Sequence, residues 1–393
     1  MRRSPGDQSR DLFVGLISGT SMDGIDAVVV DFSHHPPDVV AAATIGFEAD
    51  LRKALDELRA DPDTFPTAML ASLDARMGDA LGRAALEIIG KAGLEPSAVT
   101  AIGSHGQTVV HRPEDAWPHS LQIGNPHRIA SLTGITTVAD FRRGDIAAGG
   151  QGAPLAPLLH RALLARKGEN RAVLNLGGIA NLTLLTGDGR VFGFDTGPAN
   201  CLLDDWYRRH HDDRFDSDGR WAASGRVDEA WLHQLLEEPF FSRQPPKSTG
   251  IEHFSPNWLD QRLPGWARQH PADIQATLAE LTARSVCAAL HDTDTPAPAC
   301  LLVCGGGVHN HDLIGRLAAR LPEVKVTSTA EEGIDPDYVE AVLFAWLARE
   351  RLAARCVDTR TITGSRIPIL AGTIIPPGTS NRRENSPRRL PCD

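Results

Sequence analysis

Three loops in this chain carry the residue types that hold a phosphate. Ser18-Gly19-Thr20-Ser21-Met22-Asp23-Gly24, continuing into Ile25 and Asp26, follows one apolar run. Gly177-Gly178-Ile179-Ala180-Asn181 follows a second, and Gly305-Gly306-Gly307 a third. Glycine lets the backbone approach an anion closely, and hydroxyls and amide N–H groups donate to phosphate oxygens. Asp23 adds a carboxylate of the kind Mg²⁺ takes while it keeps several waters. No Gly-Lys-Ser or Gly-Lys-Thr occurs in the first loop, so it is not a Walker loop. Each loop alone reads equally as a simple polar turn. Three of them, each directly after a strand-like run, suit a nucleotide gripped from two domains, with two loops on its phosphates and one near the adenosine.

Asp195 opens the run Asp195-Thr196-Gly197-Pro198-Ala199-Asn200 directly after an apolar strand. An acid at a strand end beside glycine points into the crevice of an α/β protein more often than chance, and in the company of the three glycine loops it is a catalytic candidate. Its bland role is an Asx turn or a cap for the helix that follows. His105, Gln107 and Thr108, in Ser104–Thr108, form a sugar-contact set or a structural turn. Arg142 belongs to the charged stretch 140–145 near the expected domain junction, whose bland role is a surface salt-bridge patch worth little energetically. The loop 149–154 is a hinge or a substrate wall. Lys247, in Pro246-Lys247-Ser248-Thr249-Gly250, is either solvated or faces a phosphate. Glu340 falls near the start of a helix, where the dipole favours a carboxylate. Its sharper role is to hydrogen-bond sugar hydroxyls or an attacking water.

The elements that must position these residues alternate between strand-like and helical runs, which reads as α/β. Residues 12–17 and 25–32 form a hairpin with a wide polar loop. Residues 69–92 read as helix, and 99–103 as a strand that ends in the polar turn 104–108. A second strand set covers 171–176, 182–185 and 190–194, with a helix expected around 202–208. Ile274, Leu278 and Leu281 keep helical spacing, as do Val339, Val342, Leu343, Trp346 and Leu347. Asp335 is the expected N-cap of that last helix, with Pro336 at its first position. Residues 300–304 form a short buried strand. Strand–glycine turn–strand units near residues 19 and 178 suggest two related domains facing one another across a cleft.

A length of 393 residues suits two such domains. Lys and Arg number 40 against 50 Asp and Glu, which argues against a nucleic-acid binder. The balance leaves an anionic ligand open, because backbone amides bind phosphate. No apolar run approaches the roughly 18 residues a membrane helix needs. The basic start MRRSPGDQSR leads into no signal-peptide core, so a cytoplasmic, membrane-free protein is expected. The six cysteines then read as free thiols. Residues 1–10 and 378–393 are expected to be disordered.

Taken together, the runs LISGTSMDGIDAVVVDF (16–32), SHGQTVVH (104–111), VADFRRGDIAAGGQGAPLAPLLH (138–160), LNLGGIANLTLL (174–185), FDTGPAN (194–200), PKSTG (246–250), CGGGVHN (304–310) and VEAVLFAWLA (339–348) resemble the anhydro-N-acetylmuramic acid kinase family. The resemblance extends from about residue 12 to about 376. It implies an α/β fold of two actin-like ATPase (ribonuclease H-like) domains flanking an active-site cleft. The first would comprise 11–140 with about 365–377, and the second 141–364. Gly19–Asp26 would form the first phosphate loop, Gly177, Gly178 and Asn181 the second, and Gly305–Gly307 the adenosine loop. Asp195 matches the family's catalytic acid; Arg142, Asn200 and Glu340 join His105, Gln107 and Thr108 on the sugar side. ATP and Mg²⁺ are the implied cofactors and a homodimer the implied assembly. The implied reaction opens the 1,6-anhydro ring with water and phosphorylates the sugar. Two positions depart from the family pattern: Ile251 stands where Arg is usual, and Asn125 where Asp is usual. A kinase for another sugar or a polyphosphate hydrolase is the same-fold alternative, and a non-metabolic actin- or chaperone-like ATPase switch is the alternative of a different class.

Overall fold

The computed structural model describes residues 10–378 except 20, 21, 23, 246 and 294. The disorder expected of the two termini therefore falls almost wholly outside the described residues. Among the described residues the strands form two sheets. Leu12–Ser18 (β1) and Gly24–Asp31 (β2) pair antiparallel from Leu12↔Asp31 to Ile17↔Asp26, and Asp38–Gly46 (β3) extends the meander. Ala101–Arg112 (β4) lies parallel to β1, with His119–Ile123 (β5) folded back on it and Thr137–Ala139 (β6) parallel on its other side. The second sheet repeats this plan. Arg171–Leu176 (β7), Ile179–Leu185 (β8) and Val191–Pro198 (β9) form an antiparallel meander. Cys300–Cys304 (β10) runs parallel to β7, and Lys325–Ser328 (β11) parallel to β10. The two orders, β3-β2-β1-β4-β6 and β9-β8-β7-β10-β11, are the same order twice. Thr373–Ile375 (β12) closes the first sheet on β6.

The central strands are apolar on both faces because both faces are covered. Leu12, Val14 and Leu16 pack outward under helices Ala49–Ala60 and Thr67–Lys91. Phe13, Val28 and Val30 pack inward, in one cluster with Val173, Leu185 and Leu302 of the other sheet and with helix Val339–Leu352. The second sheet's outer face, with Leu174, Leu182 and Val303, is covered by helices Pro271–His291 and His311–Arg320. Trp206, Phe254, Trp258 and Trp266 build a separate helical cluster beside it. Helix Val339–Leu352 reaches its place because β1 and β4 have glycines beneath it. A Cβ on Gly15 would collide with the Ala341 carbonyl, and one on Gly103 with that of Phe344. The helix thus lies on the first sheet, although its residues fall within the span 141–364.

Three local expectations need correction. Ser104–Thr108 is not a turn that ends a strand, because β4 runs through it. Gly106, at φ 76°, absorbs a bulge that shifts the β1–β4 register between Leu16↔Ser104 and Ser18↔Gln107. Asp195 does not follow a strand but lies inside one. The strand β8 begins as early as Ile179 and offers a partner along the whole of β9, with Asn181 opposite Asp195. The last helix begins at Val339 with Tyr338 at its boundary. Asp335 instead accepts the Asp337 N–H at 3.0 Å, and the Pro336 carbonyl accepts the Gly305 N–H at 2.8 Å.

Candidate functional site

The three glycine turns sit at corresponding strand ends. Gly19 follows β1, Gly177-Gly178 is the turn between β7 and β8, and Gly305 follows β10. The strands β7 and β10 are parallel neighbours with Asn175 opposite Cys304, so their turns lie side by side. The fit is close. A Cβ on Gly305 would strike the Asn175 side chain, and one on Gly307 would come within 3.3 Å of Asn200 Nδ2. Asn200 itself donates to the Leu176 carbonyl at 2.8 Å. The Gly177 and Gly178 carbonyls accept the N–H groups of Asn200, Ala199 and Cys201 at 3.0–3.1 Å. Asn200 is therefore part of the bracing that joins the two turns and the start of helix Asn200–Arg208.

Asp195 is held from several directions. Its Oδ1 accepts from Asn181 Nδ2 at 2.8 Å across the strand pair, and its Oδ2 accepts from the Thr249 N–H at 2.9 Å. Its own N–H donates to the Lys247 carbonyl at 3.0 Å, so the loop 247–250 grips it by backbone and side chain together. Burial raises its pKa above the ordinary aspartate value; the two donors and nearby Lys247 only partly oppose this. Lys247 is not simply solvated. Its Nζ donates to the carbonyls of Phe240 and Phe241 at 3.3 and 3.0 Å and lies over the Phe240 ring.

A second set converges from the first sheet. Arg142 donates from Nε to His105 Nε2 at 2.9 Å and from Nη1 to the Gly152 carbonyl at 2.8 Å. His105 is buried, its ring 4.6 Å from that of Phe344, one helical turn beyond Glu340. Its pKa falls well below the ordinary histidine value, through burial first and Arg142 second. The neutral ring accepts from Arg142 at Nε2 and carries its proton on Nδ1, facing the Gly106 carbonyl at 3.2 Å. Burial lowers the Arg142 pKa to about 10, against the pull of Glu340 and Asp145. Glu340 keeps solvent-accessible surface although protein surrounds it deeply enough to raise its pKa, as a group in a cleft wall does. Arg142 favours its charge and Asp26 opposes it.

The loop 149–154 links the two sets. The Gly152 carbonyl holds Arg142, and Gly193, on the same face of β9 as Asp195, packs against Pro154 and Pro157. The charged stretch 140–145 is more than a surface patch. Asp145 is fully buried and accepts from the Gly152 N–H at 2.7 Å and Thr363 Oγ1 at 2.8 Å, which fixes this loop.

Gln107 and Thr108 lie further along β4. Gln107 accepts from Ser18 Oγ at 2.6 Å, directly under the first glycine turn, and Thr108 Oγ1 accepts from Gln122 Nε2 at 3.3 Å. Asp26 accepts from Thr44 Oγ1 at 2.6 Å, and Gly24, Ile25 and Asp26 belong to β2. Buried Met22, at φ 53°, donates its N–H to the Gly19 carbonyl at 3.1 Å. Thr20, Ser21 and Asp23 lie outside the described residues. Asn125 caps helix Pro126–Thr133 through the N–H groups of His127 and Arg128, and Ile251 leans over Gly178. Thr249, Asp145 and Phe344 are the residues sequence reasoning missed. The PKSTG run is the one sequence signal for Thr249.

A sheet of one strand order built twice, with glycine turns at matching ends and acids from both halves beside them, defines the actin-like ATPase class. The family model described as anhydro-N-acetylmuramic acid kinase matches residues 11–377, and the chain belongs to that family. A relative from Xanthomonas axonopodis pv. citri (strain 306), named anhydro-N-acetylmuramic acid kinase, is 54% identical over 368 residues, covering 93% of this chain and 98% of that protein. One of the same name from Coxiella burnetii (strain Dugway 5J108-111) is 47% identical over 369 residues, covering 93% and 97%. Among solved structures, a ROK family glucokinase from Streptomyces griseus in complex with glucose and AMPPNP aligns at TM-score 0.41 and 13% identity, covering 86% of this chain and 99% of that one. No helix among the described residues is long and apolar enough to cross a membrane.

Proposed function

We propose that this chain converts 1,6-anhydro-N-acetylmuramic acid, ATP and water to N-acetylmuramate 6-phosphate and ADP, a step of cell-wall murein recycling. Family membership supports the activity and ATP use. The observation that carries the mechanism is Asp195, gripped by Asn181 and Thr249 on the strand face that meets the Gly149–Pro154 loop. As general base, Asp195 takes a proton from a water that attacks the anomeric carbon. The bond from that carbon to the bridging oxygen breaks and its electron pair stays on the oxygen. That oxygen, now O6, attacks the γ-phosphorus in line and ADP leaves. An ordinary kinase base deprotonates a hydroxyl; here the proton comes from water because O6 carries none. General-base help contributes roughly 10²–10⁴ in rate, and positioning with charge stabilisation contributes the rest.

The turns at Gly19–Asp26 and Gly177–Asn181 would hold the phosphates and Gly305–Gly307 the adenosine. His105, Arg142 and Glu340, with Gln107, Thr108 and Asn200, would line the sugar side. Mg²⁺ takes one or two carboxylates plus phosphate oxygens and waters, and the acids of this cleft are hard oxygen donors that fit it. Asp23 or Asp26 would hold it there, and it would supply positive charge to offset that of the phosphates. The two halves would close on the ligands as domains, with helix Val339–Leu352 moving with the first. Cytoplasmic location and a homodimer complete the reading. Mass spectrometry of the product tests it: the sugar should gain both a phosphate and a water. ADP release with the sugar unchanged would overturn it.

A further inference from the structure

The loop that grips Asp195 is itself clamped at two points near helix Pro239–Ser242. Lys247 fixes its start through the Phe240 and Phe241 carbonyls. His253 fixes its end. The His253 ring stacks on Phe254 with centroids 4.5 Å apart and planes at 4°, and its Nε2 lies 3.4 Å from Glu238 Oε1. Glu238 is buried and caps that helix. Its Oε2 accepts from Trp258 Nε1 at 2.9 Å and Arg262 Nη2 at 2.5 Å, so its carboxylate is rigidly placed. Those donors and the Arg262 charge hold its pKa below the usual glutamate value although burial alone would raise it. An ionised carboxylate only accepts, so in the neutral His253 ring the tautomer that suits Glu238 has its proton on Nε2, 3.4 Å from Glu238 Oε1. That leaves Nδ1 to accept the Thr249 hydroxyl, 3.1 Å away. Thr249 thus bridges the clamp and the base, its hydroxyl on His253 and its N–H on Asp195.

We propose that His253, backed by Glu238, is a positioning residue for Asp195. It sets the orientation of Thr249, and through the Thr249 N–H it sets which lone pair of the Asp195 carboxylate faces the attacking water. The inference rests on the reading of Asp195 as the general base. It assigns to a side chain outside the cleft an effect on the chemical step and none on nucleotide affinity.

Steady-state kinetics of the full-length chain with ATP and 1,6-anhydro-N-acetylmuramic acid test it. A displaced catalytic group costs up to about 10²-fold in rate, so His253→Ala should lower kcat about ten- to a hundredfold. The KM for ATP should stay within about twofold, because the lost effect belongs to the transition state. Thr249→Val keeps the backbone N–H and the side-chain shape but removes the hydroxyl, and should show the same split. His253→Asn, whose amide oxygen takes the place of Nδ1 as acceptor, should restore most of the rate. Wild-type kcat in both His253→Ala and Thr249→Val overturns the proposal, as does a loss confined to the KM for ATP. If circular dichroism shows His253→Ala unfolded, Thr249→Val decides alone. Asp195→Asn separates the two levels: if it stays active, the base reading itself fails. If it is inactive while both clamp variants turn over normally, only the clamp is refuted.

Discussion

The carboxylate of Asp195 and the backbone N–H of Thr249 meet at 2.9 Å although 54 positions separate them in the chain. The contact joins a strand of the second sheet to a loop anchored in the helical cluster beside it. Neither element orients the acid alone: β9 sets its depth in the sheet, and its rotation is fixed between the Asn181 amide on β8 and the Thr249 N–H of the loop.

Asp195→Asn should therefore abolish turnover without loss of fold. Asn is nearly isosteric but takes no proton, so kcat should fall at least roughly 10²-fold while ATP affinity is kept. Ring opening and phosphorylation should fail together, because O6 becomes a nucleophile only as water attacks. A product analysis that finds opened, unphosphorylated sugar would separate the two steps and remove the shared base.

The pH profile should carry the mark of the same residue. Burial raises the Asp195 pKa above 3.8, and a base works only when ionised. The rate should fall as pH drops through that raised value, so the acid limb lies above the limb of an ordinary aspartate. Asn181→Ala removes a donor that favours the charged form, and should move the limb further up. The sign for stability is opposite. A folded pKa above the unfolded one favours the folded state at low pH, and that contribution is lost as pH rises through the folded value.

Glu340→Gln should lower kcat and raise the melting temperature at pH 7 by no more than about a degree or two. The protein packed around Glu340 raises its pKa above the ordinary 4.5, and because its side chain still reaches solvent the cost of its charge to folding at neutral pH is small. The gain in melting temperature should vanish below that ordinary value, where the carboxyl is protonated in both states. Unchanged kinetics with a raised melting temperature would leave Glu340 no part in the reaction.

Gly305 and Gly306 should respond differently to alanine. Gly305, at φ 78° and ψ 168°, occupies backbone space that is nearly glycine's alone, and its Cβ would strike Asn175. Gly305→Ala should destabilise the fold by about 1–3 kcal/mol. A Cβ on Gly306 meets nothing within 4 Å. Gly306→Ala should keep its melting temperature yet bind ATP more weakly, as calorimetry would show if adenosine rests there.

The strand sets and glycine turns were legible because each depends on local pattern: apolar runs, then glycine with polar residues. The exposed cap of the last helix was not, because Asp335 and Pro336 fit a helix start but are drawn into contact with Asp337 and Gly305. The strand character of Ser104–Thr108 was hidden because polar residues in a row read as a turn unless a partner strand is known. Asp195 stood out by its motif, whereas its holder Thr249 is defined only by tertiary contact. The contacts of Lys247 were illegible for the same reason, since the Phe240 and Phe241 carbonyls that take its ammonium leave no trace in a sequence.

Helix Val339–Leu352 and strand β12 come from the last part of the chain but complete the sheet that begins at Leu12. During synthesis that sheet must wait with the Gly15 and Gly103 face bare. At 5–20 residues per second, roughly 230 residues separate the end of β4 from the helix that covers it, a delay of about 10–45 s. The second sheet faces a shorter interval, since its last strand, β11, ends at Ser328, shortly before that helix begins at Val339. The end of the chain to leave the ribosome first is thus the last to be sealed, and truncation before residue 352 should leave the N-terminal sheet a target for chaperones and proteases.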